Sequence, residues 1–149
     1  MQQRGFAGGR AAKLAHAFRY YWSGEYDAAL AIALPRIEGI LREILRYHRI
    51  PIVQPPQGDS RGRVTLLTTL IDRMTDAGMH ADWQAFLRLL LVDSDGGLNL
   101  RNSELHDLSD TETAPQTVAP VLLAALHVTA HAHQAAAPAS GIRMEQRRG

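Results

Sequence analysis

The stretch GGLNLRNSELHDL, residues 96–108, brings an arginine, an asparagine and a histidine together directly after a glycine pair. On a helix Asn102 and His106 are four apart and share a face, while Leu98 and Leu105 supply core contacts. Arg101 stands five positions before His106, roughly 140° round the helix at about 100° per residue. Arg101 and His106 therefore read as two prongs of a surface, which a second copy of the helix across a two-fold axis could complete. The set suits metal-free phosphoryl transfer. A histidine of near-neutral pKa can move a proton, and an arginine can hold a phosphate that gains charge in the transition state. In RNA the nucleophile is built in, because the 2′-hydroxyl attacks the adjacent phosphate. The protein need supply only His106 as general acid or base, Arg101 as a cationic clamp, and Asn102 to orient them. The competing reading is a polar, exposed helix face with Asn102 near its N-terminal turn.

Other candidates flank this set. Glu38 falls at the edge of an apolar stripe between Leu34 and Leu45, where a carboxylate needs a partner. It could hold Arg101, or Arg42 at i+4, and so orient the motif from behind, or it could pair with Arg42 in solvent. His127 and His131 are four apart with His133 nearby, a spacing that can make two metal ligands. That helix has no acid and the chain has no cysteine, so we expect no metal site and no cofactor, only a solvated or partly buried histidine face. In AFRYYW, residues 17–22, the aromatics read as core or dimer contacts, with base stacking beside Arg19 as the alternative. The acidic DSDGG, residues 93–97, fits neither a calcium loop nor a phosphate loop and reads as a turn.

The elements that must position these residues are all helical. A chain of 149 residues, 46% hydrophobic and 21% charged, suits one folded domain and excludes a disordered or fibrous chain. Apolar residues recur at three- and four-residue spacing, with no convincing alternating strand. A first helix is expected from about Arg10 to Trp22, stopping at Ser23-Gly24. A second, from about Glu25 to His48, carries Leu30, Leu34, Ile37, Leu41, Ile44 and Leu45 as the central core stripe. Pro35 lies inside it, predicting one kinked helix or two shorter ones. IPIVQPPQGDSRG, residues 50–62, reads as a loop. A third helix is expected from Arg63 to Asp76, ending at Gly78. A fourth starts after Asp82 as N-cap, a short one runs from Asn99 to Leu108, and a last one from Val118 to Gln134 has Pro120 in its first turn. Residues 1–9 read as a flexible lead-in, 10–136 as the single domain and 137–149 as a disordered tail.

Charge and compartment follow from the same composition. The net charge is only +1, so any polyanion site must be local. Lys13 is the only lysine among 16 basic residues, a bias consistent with a GC-rich genome rather than with phosphate binding. Without cysteine there is no disulfide framework and no thiolate site, which makes a reducing cytoplasm the simplest home. No apolar run approaches the roughly 20 residues that span a bilayer, and no signal peptide opens the chain, so no membrane association is expected.

RNSELH also resembles the Arg-polar-x-x-x-His motif of the HEPN superfamily. More closely, PRIEGILREIL, residues 35–45, followed from residue 97 by GLNLRNSELHDL, resembles the domain DUF4209, whose hallmark is RNxxxHG. The two blocks and their spacer cover about Glu25 to Leu108. The resemblance implies a helical bundle of about five to six helices and a homodimer whose two motifs form one composite site. It also implies RNA as a ligand and, in many superfamily members, metal-independent endoribonuclease activity in defence, toxin or RNA-processing roles, with a cognate protein partner in some. Other members are inactive, and the alternative is a non-catalytic dimerisation or interaction module, the C-terminal part of a larger DUF4209 protein. One position departs from the motif: Asp107 stands where the family has glycine. An acid there could raise the pKa of His106 or repel a phosphate.

Overall fold

The computed structural model describes residues 8–52, 67–93, 97–98, 100 and 113–137. Five helices lie within them: α1 (Gly8–Trp22), α2 (Tyr26–Tyr47), α3 (Leu67–Asp72), α4 (Ala81–Leu91) and α5 (Pro115–Ala136), with no strand among the described residues. The fold is all-α, as the periodicity predicts.

The stripe of α2 organises the bundle. Leu30, Ile37, Leu41, Ile44 and Leu45 are fully buried, and α2 packs most extensively on α5 and then on α1. The small residues Ala29 and Ala33 on α2, Ala17 on α1 and Ala124 and Ala125 on α5 are also fully buried, which lets the backbones approach closely. α2 is one helix, not two, because Pro35 sits on its solvent side. The missing N–H leaves only the carbonyl of exposed Ala31 without its helical donor, and water can satisfy it.

Three terminations share one geometry. At the ends of α1 and α2 and after α3, a residue with positive φ (Gly24, Arg49 and Gly78) reverses the chain. The next amide then bonds back five residues, Glu25 to Tyr20, Ile50 to Leu45 and Met79 to Met74. Gly24 and Gly78 adopt this left-handed conformation at little cost, whereas Arg49 does so against its Cβ.

The boundaries differ from the sequence reading at four places. α1 begins at Gly8, two residues early. α3 proper ends at Asp72, and residues 73–78 continue as tighter turns in which Met74 bonds Ile71 and Ala77 bonds Met74, so the apolar pattern runs on without α-helical bonding. The N-cap of α4 is His80, whose Nδ1 accepts the Asp82 N–H at 3.3 Å, and Asp82 lies inside the first turn. α5 starts at Pro115, so Pro115 occupies the first turn and Pro120 lies inside the helix. The short helix expected from Asn99 to Leu108 lies outside the described residues apart from Leu100, which is helical. So do the start of the third helix, most of the Pro-rich loop and residues 138–149.

Candidate functional site

Arg101, Asn102, His106 and Asp107 lie outside the described residues; the approach to them does not. After α4, Asp93 and Val92 both bond the Arg88 carbonyl, and the chain folds back so that the Leu98 N–H donates to the Leu89 carbonyl at 2.8 Å. Gly97 makes this return possible. A Cβ built there would fall 2.4 Å from the carbonyl oxygens of both Asp93 and Leu89, which no real side chain tolerates. Leu100 then enters the core at 7% exposure. The glycine before the motif therefore answers a close backbone approach, and the residue preceding Arg101 is a core anchor.

Arg88 braces the same corner. Its guanidinium pairs with Asp72 at the end of α3 and reaches Asp93 at 3.5 Å. The hydrogen bond and the charge of Asp72, followed by those of Asp93, raise the Arg88 pKa, so it is a fixed cation at any working pH. Gln84 Nε2 adds bonds to the Ile71 and Asp72 carbonyls at 3.0 and 2.9 Å, tying α4 to the end of α3.

Glu38 and Arg42 pair across one turn of α2, Arg42 Nη2 donating to Glu38 Oε1 at 2.6 Å with both side chains mostly buried. Arg42 is thus a partner of Glu38, which has at least one further interaction. Arg42 Nη1 is a buried donor with no partner among the described residues.

The histidine pair on α5 has a packing role. His127 stacks flat on Trp83 of α4, with centroids 3.5 Å apart and 7° between planes, and His131 Nε2 lies 3.1 Å from the Ala77 carbonyl. Among the described residues no group of three His, Asp or Glu side chains could hold a metal. Burial against Trp83, then the charge of His131, depresses the His127 pKa. The folded state therefore prefers neutral His127, while the unfolded chain takes up the proton near the ordinary histidine pKa of about 6.5. Stability should be complete above that pH and fall as pH drops through it toward the lower folded pKa. Thermal melts from about pH 7 to 5.5 should show this slope, and His127→Phe, which keeps a ring on Trp83, should flatten it. An unchanged slope would assign the dependence to other groups.

Most of the aromatic run at the end of α1 packs against the core, Ala17 fully buried and Phe18, Tyr20 and Tyr21 partly so, and only Trp22 departs from it. Trp22 is 80% exposed, its ring edge-on to Tyr21 at 5.3 Å, while Tyr20 and Tyr21 are half-buried. An open cleft of about 280 Å³ lies nearby between residues 24–28 and Thr113, but Glu25 and Asp27 at its mouth make it a poor seat for a phosphate. No described helix is long and apolar enough to cross a membrane. Compared with family models, curated proteins and solved structures, the chain matches none.

The sequence missed three features here: the Gly97 approach, the Arg88 brace and the Trp83–His127 stack. Only the glycine pair carried a signal for any of them.

Proposed function

We propose that this chain is a HEPN-like RNA-binding domain and a metal-independent endoribonuclease, working as a homodimer in the cytoplasm with a cognate protein partner. The reading rests on the RNxxxH segment and its likeness to the DUF4209 hallmark. One structural observation supports it: Gly97, Leu98 and Leu100 fix the backbone at the entrance to the motif. A catalytic set needs such a rigid platform, because small misplacements of a catalytic group cost large factors in rate.

In this proposal His106 takes the proton of a ribose 2′-hydroxyl as its oxygen attacks the adjacent phosphorus. The bond from phosphorus to the 5′-oxygen breaks, and that oxygen leaves as a hydroxyl after receiving a proton from a general acid, a role filled by the second motif across the two-fold axis. Arg101 neutralises the charge building on the phosphate, and Asn102 orients His106 or the phosphate. The products are a 2′,3′-cyclic phosphate and a 5′-hydroxyl. The carboxylate of Asp107 beside His106 would favour its protonated form.

Incubating the protein with mixed-sequence RNA in EDTA tests this directly. Wild type should give fragments ending in 2′,3′-cyclic phosphate, and His106→Ala should give none while melting at the same temperature. Cleavage by His106→Ala at the wild-type rate would sink the mechanism. No cleavage by either protein, both folded, would make the chain a non-catalytic interaction module.

A further inference from the structure

Three histidines converge on the short segment Ala77–Trp83, which closes the turn after α3 and opens α4. From α5, His131 Nε2 lies 3.1 Å from the Ala77 carbonyl and His127 stacks on the Trp83 indole. From the segment itself, His80 Nδ1 accepts the Asp82 N–H at 3.3 Å and caps the helix.

These rings do not answer acid alike. A carbonyl only accepts, so His131 Nε2 carries a hydrogen, and an added proton goes to Nδ1 and leaves the bond to Ala77 in place. His80 Nδ1 must keep its lone pair to cap. Once protonated it cannot accept the Asp82 N–H, and it sets a positive charge at the positive end of α4. The Asp82 carboxylate, 3.4 Å away and well exposed, then becomes its partner in place of the N–H. His127 stands between these cases. A cationic imidazole gains some attraction from the indole face, but it gives up water on burial and meets the charge of His131 one helical turn away. Together the two hold the His127 pKa below the ordinary histidine value.

Neighbouring charges leave that balance to the histidines. Arg88 of α4 is engaged by Asp72 and Asp93, and Arg73 by Asp76 in the turn after α3. Asp82 lines the groove beside Trp83, and His133 follows His131 on α5. Among the described residues no carboxylate shifts His127.

The start of α4 is also where the helix can yield. His80, Ala81 and Asp82 are exposed and Trp83 is half-buried, whereas Met79 before them and Leu87, Leu90 and Leu91 after them are buried. A segment with few buried contacts opens at lower cost than the rest of a fold. It is held at both ends: His131 bonds Ala77 on one side, and Gln84 bonds the Ile71 and Asp72 carbonyls on the other.

We propose that His80–Trp83 is an acid-operated latch on α5, in which protonation of His80 and His127 uncaps α4 and parts the Trp83 indole from α5 while the ties at Ala77 and Gln84 hold. The departing ring uncovers the apolar groove of about 210 Å³ that it shares with Phe86 and Leu123, the last of these on an outward stripe of α5 with Leu126. The latch is independent of the ribonuclease reading and operates whether or not the protein cleaves RNA.

The chain has two tryptophans, so a Trp22→Phe background makes Trp83 the sole indole. Its emission should move to longer wavelength as the pH falls from about 7.5 to 5, with most of the helical circular dichroism retained. His127→Phe keeps a ring on the indole and His80→Ser keeps a cap, neither with a proton to gain. Each should reduce the shift, and the double variant should abolish it. Helical dichroism at the upper pH checks that each variant folds, and His80→Ser, at an exposed position, stands as a test by itself. An emission that stays in place, or that is quenched without moving, would leave the imidazolium on the indole and overturn the latch. So would a shift that persists in His80→Ser and the double variant, or one that coincides with loss of the helical signal.

Discussion

Gly97→Val should cost the protein about 1–3 kcal/mol of stability and, under the proposed ribonuclease function, should damage RNA cleavage more than it damages the fold. The added Cβ would collide with two backbone carbonyls, those of Asp93 and Leu89, and neither can swing aside as a side-chain tip would. Forcing atoms into a well-packed site costs about 1–3 kcal/mol. Here the alternative to that strain is loss of the bond from Leu98 to Leu89 and withdrawal of Leu100 from the core. A urea titration should give a lower midpoint by either route. Under the proposed function the effect on cleavage is larger, because Arg101 directly follows Leu100 in the chain. Cleavage per folded molecule is expected to drop by at least tenfold. A variant that melts and cuts like wild type would show that the return of the chain over α4 does not position the motif.

Leu41→Ala should destabilise the fold by about 3 kcal/mol, within the range measured for fully buried leucines. Leu41 has no exposed surface and lies on the stripe of α2, the helix that packs most heavily on its neighbours. Its removal loses both the transfer energy of the side chain and the contacts around the cavity left behind. For a domain of this size the loss should lower the melting temperature by on the order of 10 °C. Leu126→Ala, on the outward stripe of α5, serves as the internal control and should cost far less in the isolated protomer. Equal losses at the two positions would mean that burial is not what distinguishes them.

Helices with a one-sided apolar pattern were legible in the sequence, and α2 most clearly. Its stripe, its start beside Glu25 and its end beside His48 follow from the 3.6-residue period together with the Ser23-Gly24 breaker. Misreadings gathered where another force decides. His80 caps α4 through a ring nitrogen, whereas preference statistics point to Asp82. At α5, Pro115 and Pro120 both suit a first turn, and the sequence alone favoured the wrong one. After Asp72 the apolar spacing continues through Met74, Ala77 and Met79, so the change from α-helical to tighter bonding left no trace in the pattern.

The candidate site was legible as a motif and illegible as geometry. Arg88 could be read as one more surface arginine, yet it joins the end of α3 to the segment leading into the motif. Trp83 and His127 are 44 positions apart, and nothing in either helix alone announces that their rings stack. Glu38 was the exception. Its place at the edge of a helical stripe named Arg42 as one of two partners, and Arg42 does hold it, beside at least one further interaction.

The heavy packing of α2 on α5 also bears on how the chain is made. α1 and α2 are joined by a turn of three residues and can close as a hairpin within microseconds of leaving the ribosome. The surface of α2 that α5 will cover has no such local partner. The about 90 residues from Tyr47 to Ala136 must first be translated, which takes roughly 5 to 20 s at ordinary elongation rates. For that interval the growing chain carries an oily strip formed by part of the α2 stripe. A ribosome-associated chaperone would have time to bind it, and slowing translation after α2 would lengthen the window for aggregation.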